Sequence, residues 1–261
     1  MTLRNVFVSV FLSILIVPMA FASPIKIGII AGPSVQIMEV AKKIAKEKYN
    51  LDIEPVVFTD YIMPNEAVNS GDVDMNIFQT ISFLNQSIFK RHYKLASIGN
   101  TFIYPMGIFS KKIKNLSDLK ENASIAIPND SSNEGRALFL LSHAGLIKLK
   151  PGSGEFSQLN DIVDNPKKLK ITTLDANQLP RIVPDVDAVV LNNDFVEHAG
   201  FKPAEALIHE DPSSAQPYIN VVVVQSKNKD KKEYKEVVDI MHSKEVFDKN
   251  LELYPGAVKA W

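Results

Sequence analysis

Along this chain short apolar runs and amphipathic stretches take turns, and the switch from a period of two to a period near 3.6 marks where strands give way to helices. Residues 26–30 read as a strand, Gly32-Pro33-Ser34 as its turn, and 35–48 as a helix whose apolar side carries Ile37, Val40, Ala41 and Ile44. A second strand is expected at 52–58. Pro64 suits the first turn of a helix that reaches Ser70, with Gly71 as its terminator. A strand near 73–77 then leads into a helix over 81–93. Such alternation argues for parallel-sheet units joined by helices, the α/β class.

The pattern changes at 95–110, a nearly continuous β-prone run broken only by Gly99, Pro105 and Gly107. A run of that length predicts a crossing between two lobes, and 218–225 is a candidate for a second crossing. Between them lie strands expected at 125–127, 169–174 and 186–191, with a short helix at 176–182; after them 230–253 is helical in pattern. The expected organisation is a first lobe made of 23–104 and 226–261, discontinuous in sequence, and a second lobe of 105–225, with a cleft between. Ligands of such sheets sit beyond the carboxyl ends of the strands. Polar or aromatic groups fall there at Tyr61, at Phe78 to Thr80, at Asn129 to Arg136 and at Asn192-Asn193.

The unit 124–146 is the most informative of these ends. The apolar Ile125-Ala126-Ile127 stops at Pro128, Asn129 to Ser132 supply turn and capping side chains, and Ala137, Leu138, Leu140 and Leu141 follow at helical period until Gly145. Ser131 and Glu134 have the spacing of a capping box, which sets the helix start near Ser132. A helix N-terminus with Arg136 one turn in suits a carboxylate, through unpaired N–H groups, the helix dipole and a planar cation. On this pattern alone Arg136 reads equally well as a solvated surface arginine.

Composition narrows the chemistry. The 261 residues are 46% hydrophobic and 23% charged with a formal net charge of −1, which implies neither nucleic acid nor an anionic membrane as partner. Arg4, the apolar run 6–17 and Ala20-Phe21-Ala22 predict an export signal over residues 1–22, with an uncleaved anchor as the alternative. The absence of cysteine excludes disulfides, thiolate metal sites and a cysteine-linked lipid. The histidines at 92, 143, 198, 209 and 242 show no metal-ligand spacing, and the common hydrolase and nucleotide motifs are missing, so no metal, cofactor or catalytic group is expected. Asp72 and Asp74 read as a solvated turn, and Phe78, Phe83 and Phe89 as core residues unless a nearby strand end draws them into a pocket.

The blocks FTDYIMPNEAVNSGDVDMNIFQT, GNTFIYPMGIFSKKIKNLSDL, IAIPNDSSNEGRALFLL, NPKKLKI and GAVKAW resemble, in order and over essentially the whole chain after the signal, the NlpA/MetQ family of methionine-binding proteins of bacterial ABC importers. The resemblance implies a two-lobed periplasmic-binding-protein fold that closes on an amino acid and delivers it to a permease and ATPase complex. It implies that Arg136 and Asn133 hold the ligand carboxylate, that Asn192 and Asn220 attend its amino group, and that Tyr61 and Phe78 wall its side chain. Two positions depart from the family's pattern: Thr80 stands where a histidine is usual and Phe83 where a tyrosine is usual, which changes the size and polarity of the side-chain pocket. The family usually carries a lipidated cysteine, so this chain is expected to be periplasmic without that anchor. The expected function is capture of methionine or a related amino acid. Another amino acid or a methionyl dipeptide is the alternative, and behind it stand an enzyme or an adhesion protein built on the same fold.

Overall fold

Strand β1 (Ile25–Ile30) is buried at every position except Lys26, as befits a strand covered on both faces. The computed structural model describes residues 23–214 and 216–261; the expected export segment lies outside them. From β1 the chain enters α1 (Ser34–Ile44), which continues as a short π-helical turn to Tyr49, and returns through β2 (Ile53–Phe58). Helix α2 (Met63–Ser70) starts with Pro64 in its first turn and ends at Gly71, whose φ of 93° is the left-handed conformation glycine adopts without strain. Strand β3 (Met75–Thr80) runs straight into α3 (Ile81–Arg91), and β4 (Leu95–Asn100) follows.

The β-prone run divides into β4, β5 (Phe102–Ile103) and β6 (Gly107–Phe109), and the turn between the last two carries the chain into a second sheet. There the elements are β7 (Ser124–Pro128), α4 (Ser131–His143), a small hairpin of β8 (Lys148–Leu149) and β9 (Ile162–Asp164), then β10 (Lys170–Leu174), α5 (Leu179–Ile182), β11 (Ala188–Leu191) and β12 (Ile208–His209). The chain then comes back as β13 (Asn220–Gln225), α6 (Lys232–Met241), α7 (Lys244–Leu253) and β14 (Val258–Lys259). The expected single helical stretch 230–253 is two helices, because Ser243 caps the second by accepting from the Val246 N–H.

Each five-stranded sheet is parallel over three strands and closes with an antiparallel pair: β2-β1-β3-β13-β4 in one, β10-β7-β11-β6-β12 in the other. Strand β13 corrects one expectation. It does not cross between sheets but lies between β3 and β4, since its run of valines is buried on both faces and belongs at a sheet centre. We propose that the second lobe therefore ends before Asn220 and that the return crossing lies between β12 and β13. The two crossings run side by side, tied by Thr101 N–H to Asn220 O at 2.7 Å and Glu210 N–H to Met106 O at 2.8 Å.

Each sheet has its own apolar layers. Ile27, Ile29, Met38, Ala41, Val237 and Met241 pack under the first sheet, and Ile125, Ile127, Leu138, Leu141 and Val190 under the second. At Gly135 a Cβ would meet the Glu155 carbonyl oxygen at 2.2 Å, so the 155–157 segment packs on α4 only because that position has no side chain. Phe89, read as a core residue, is 76% exposed: α3 presents it to solvent while Leu84 faces inward.

Candidate functional site

The cleft opens where the carboxyl ends of both sets of parallel strands meet. The first sheet supplies Tyr61 after β2, Phe78 and Thr80 at the end of β3, and Asn220 at the start of β13; the second supplies Asn133 and Arg136 from α4 and Asn192 after β11. With Phe83 in the first turn of α3, every expected ligand-contact position lines this one cleft. The lobes touch around it: the Ser132 and Ser82 hydroxyls are 3.0 Å apart in a buried pair, and Lys90 Nζ donates to Ser131 Oγ.

The start of α4 departs from the expected capping box. The helix begins at Ser131, and Asp130 is the cap, its Oδ1 accepting from the Asn133 N–H at 3.0 Å and its Oδ2 from Asn133 Nδ2 at 2.9 Å. A carboxylate complements the helix dipole better than a hydroxyl does, and Glu134 turns away to accept from the Leu159 N–H. Burial raises the Asp130 pKa, against the bonds from Asn133 and Ser132 that favour its charge. A carboxylate of the protein itself thus already caps this helix end.

Arg136 is 3% exposed, which removes the solvated-arginine alternative. Its guanidinium does not stand free. Nε donates to both Glu210 oxygens at 3.0 and 3.1 Å, and Nη2 donates to Glu210 Oε2 at 2.5 Å and to the Tyr104 carbonyl at 2.8 Å. The Tyr218 ring lies 4.5 Å beneath it. Of its five N–H donors only the two on Nη1 bond to no described residue, so they are the pair open to a ligand oxygen. Because Tyr104 and Glu210 belong to the two crossings, Arg136 ties the ligand wall to the hinge.

Beside it, Asn192 Nδ2 donates to Asn133 Oδ1 at 2.9 Å, while Asn192 Oδ1 is buried with no hydrogen-bond partner. A buried carbonyl left unmatched costs stability unless a donor arrives. Asn220 holds the crossing through its backbone, where its carbonyl accepts from the Thr101 N–H and hydroxyl.

The first lobe presents rings. Tyr61 lies 5.6 Å from Phe78, 5.2 Å from Phe195 and 6.0 Å edge-on from Phe83, and Phe78 meets Phe83 at 5.9 Å. Thr80 has a structural task here: its Oγ1 caps α3 by accepting from the Phe83 N–H at 3.2 Å. Behind these rings Asn65, Asn76 and Gln79 form a buried amide network with bonds of 2.6 to 2.9 Å, which fixes the end of β3.

Asp194 is the residue the sequence reading missed. It follows Asn192-Asn193 in what reads as a plain polar turn, yet its carboxylate lines the cleft. Tyr61 Oη donates to Oδ2 at 2.7 Å and Tyr254 Oη to Oδ1 at 3.4 Å, both reaching over from the first lobe. Burial raises its pKa, opposed by these two bonds and by the charge of His198. The tyrosines respond in turn: burial and then the Asp194 charge push the Tyr61 and Tyr254 hydroxyls well above their usual range. Among the described residues no group of three or more His, Cys, Asp or Glu could hold a metal ion, and no helix is long and apolar enough to cross a membrane.

Comparison with known proteins places the chain in context. The model of the NlpA lipoprotein family matches residues 25–261. The chain is 46% identical over 241 residues to the D-methionine-binding lipoprotein MetQ of Yersinia pestis, covering 91% of this chain and 88% of that protein. It is also 46% identical to outer membrane lipoprotein 2 of Mannheimia haemolytica, over 92% of this chain and 87% of that one. Among solved structures it is similar to a nutrient binding protein from Burkholderia cenocepacia bound to methionine, with a TM-score of 0.87, 43% identity, and coverage of 91% of this chain and 100% of that chain.

Proposed function

The chain belongs to the NlpA lipoprotein family, and from that premise we propose that it is the solute-binding protein of an ABC importer, capturing methionine or a related amino acid between its lobes and presenting it to the permease and ATPase complex. One observation carries the reading: a buried arginine with two open donors, a buried amide oxygen with no partner and a ring-lined wall converge on a single interlobe cleft. These are the complements of a carboxylate, an ammonium and an apolar side chain.

In this reading Arg136 Nη1 receives the carboxylate, with Asn133 holding the adjoining Asn192. Asn192 Oδ1 and the Asn220 amide accept from the amino group. Tyr61, Phe78 and Phe83 enclose the side chain, and Thr80 fixes the position of Phe83. The task is binding without turnover: lobe closure buries the ligand, and closed and open forms differ in the contacts they offer it. Export through residues 1–22 to the periplasm, without a cysteine-linked lipid, belongs to the same proposal.

The test is the melting temperature of the protein against each amino acid and against methionyl dipeptides. A ligand at about one hundred times its Kd adds roughly 2.7 kcal/mol. Methionine or a close relative is expected to raise the melting temperature; a panel in which no member does so sinks the assignment.

A further inference from the structure

The charges that line the cleft are those of Arg136 and Asp194, and they are not equivalent. Arg136 already has its counter-ion, Glu210, at 2.5 Å, with both side chains nearly enclosed, 3% and 10% exposed. Asp194 forms no salt bridge among the described residues: its hydrogen-bond partners are the neutral Tyr61 and Tyr254 hydroxyls, and the charge of His198, which does not line the cleft, favours its carboxylate without pairing with it. The uncompensated charge facing the ligand space is therefore negative. A carboxylate withdrawn from water without a cation is costly, and phenol hydroxyls offset only part of that cost.

The surroundings suit a cation. The Tyr61 ring, whose hydroxyl binds Asp194, is flanked by Phe78, Phe83 and Phe195, and ring faces attract a positively charged nitrogen. Two residues away, Asn192 Oδ1 is a buried acceptor without a donor. An ammonium carries three donors and no acceptor, so it matches both oxygens.

We propose that Asp194 is the subsite for the positively charged nitrogen of the ligand. The inference rests on the reading of the protein as an amino-acid carrier and deepens it: the ligand must be a zwitterion or a cation, with its carboxylate at Arg136 and its ammonium at Asp194. The nitrogen is either the α-ammonium of any amino acid or the side-chain ammonium of a basic one, and the same carboxylate chemistry serves both.

The experiment is calorimetric titration of wild type, Asp194→Asn and Asp194→Glu with methionine, with 4-(methylthio)butanoate, which is methionine without its amino group, and with lysine and norleucine. For an α-ammonium at Asp194, Asp194→Asn weakens methionine about 10- to 100-fold and leaves 4-(methylthio)butanoate unchanged, so the preference for the amino compound collapses. For a side-chain ammonium the collapse is in the ratio of lysine to norleucine instead. In either case Asp194→Glu, which keeps the charge, retains part of the ratio. Tyr254→Phe separates charge from mere lobe contact: it is expected to weaken all these ligands alike, with the ratios intact. If wild type binds and both ratios survive in Asp194→Asn within twofold, Asp194 is not the cation subsite, while the carrier reading stands. If wild type binds no member of the panel, the carrier reading falls and this one with it. Melting temperatures of the ligand-free variants verify that each is folded.

Discussion

The two walls of the cleft are built on opposite principles. On the first lobe the polar groups, apart from the Asn220 side chain, are satisfied before any ligand arrives: the Asn65, Asn76 and Gln79 amides bond to one another, the Thr80 hydroxyl caps α3, and what faces the cleft is largely ring surface. On the second lobe the polar groups face the cleft with valences left over, two N–H on Arg136, Oδ1 of Asn192 and the carboxylate of Asp194. A satisfied wall sets shape and an unsatisfied wall sets charge. The first lobe should thus select the side chain of the ligand and the second its head group, and substitutions can test that division.

The largest effect is expected at Arg136. Arg136→Ala leaves the Glu210 carboxylate enclosed without its cation, and breaking such a pair costs about 3–5 kcal/mol of stability, measured by urea unfolding. Binding falls as well, but that loss alone could be a folding defect. The double variant Arg136→Met with Glu210→Leu removes both charges, so stability should largely return while affinity for an amino acid stays low. Full recovery of affinity in the double variant would mean that the arginine serves the hinge and not the ligand.

Next comes the satisfied wall. Asn65→Ala strips Gln79 and Asn76 of partners inside the first lobe and should cost roughly 1–3 kcal/mol of stability. The order of preference among amino acids should hold, because no removed atom faces the cleft. A reordered preference would show that the network is part of the recognition surface. Asn220→Ala is the converse case and a smaller one. The Asn220 side chain bonds to no described residue, so affinity should fall by about 1 kcal/mol, roughly fivefold, with unfolding unchanged.

How far the sequence foretold these walls follows from the range of the interactions. Arg136 and Asn133 were legible because strand, turn, cap and helix all lie within 124–146, and local periodicity reports local structure. The strand-end rule found Tyr61, Phe78 and Asn192 for the same reason. What defines their chemistry is distant: Glu210 is 74 residues from Arg136, and Asp194 is 133 from Tyr61 and 60 from Tyr254. No period carries such pairings, so Arg136 read as a free cation and Asp194 was not singled out. The same holds for β13, whose β-rich stretch read as a crossing because nothing local marks its place between β3 and β4.

The smallest expected effect concerns the ligand-free protein and the cost of keeping Asp194 charged. Burial raises the Asp194 pKa above its unfolded value, so between those two values the folded protein binds more protons than the unfolded chain. Stability contributed by this site therefore falls as pH rises through that window, and at neutral pH the charge is a net burden. The groups facing it change little there, since Tyr61 and Tyr254 are pushed upward and stay protonated. The charge of His198 favours the Asp194 carboxylate and so narrows the window. Asp194→Asn removes the burden while an amide can still bond to both hydroxyls. The ligand-free variant should melt somewhat above wild type at pH 7, and the gap should close as pH drops toward the ordinary carboxylate range. A variant that melts below wild type at pH 7 would mean that the tyrosine bonds outweigh the desolvation of the charge, and that the two walls are held together by Asp194 before a ligand joins them.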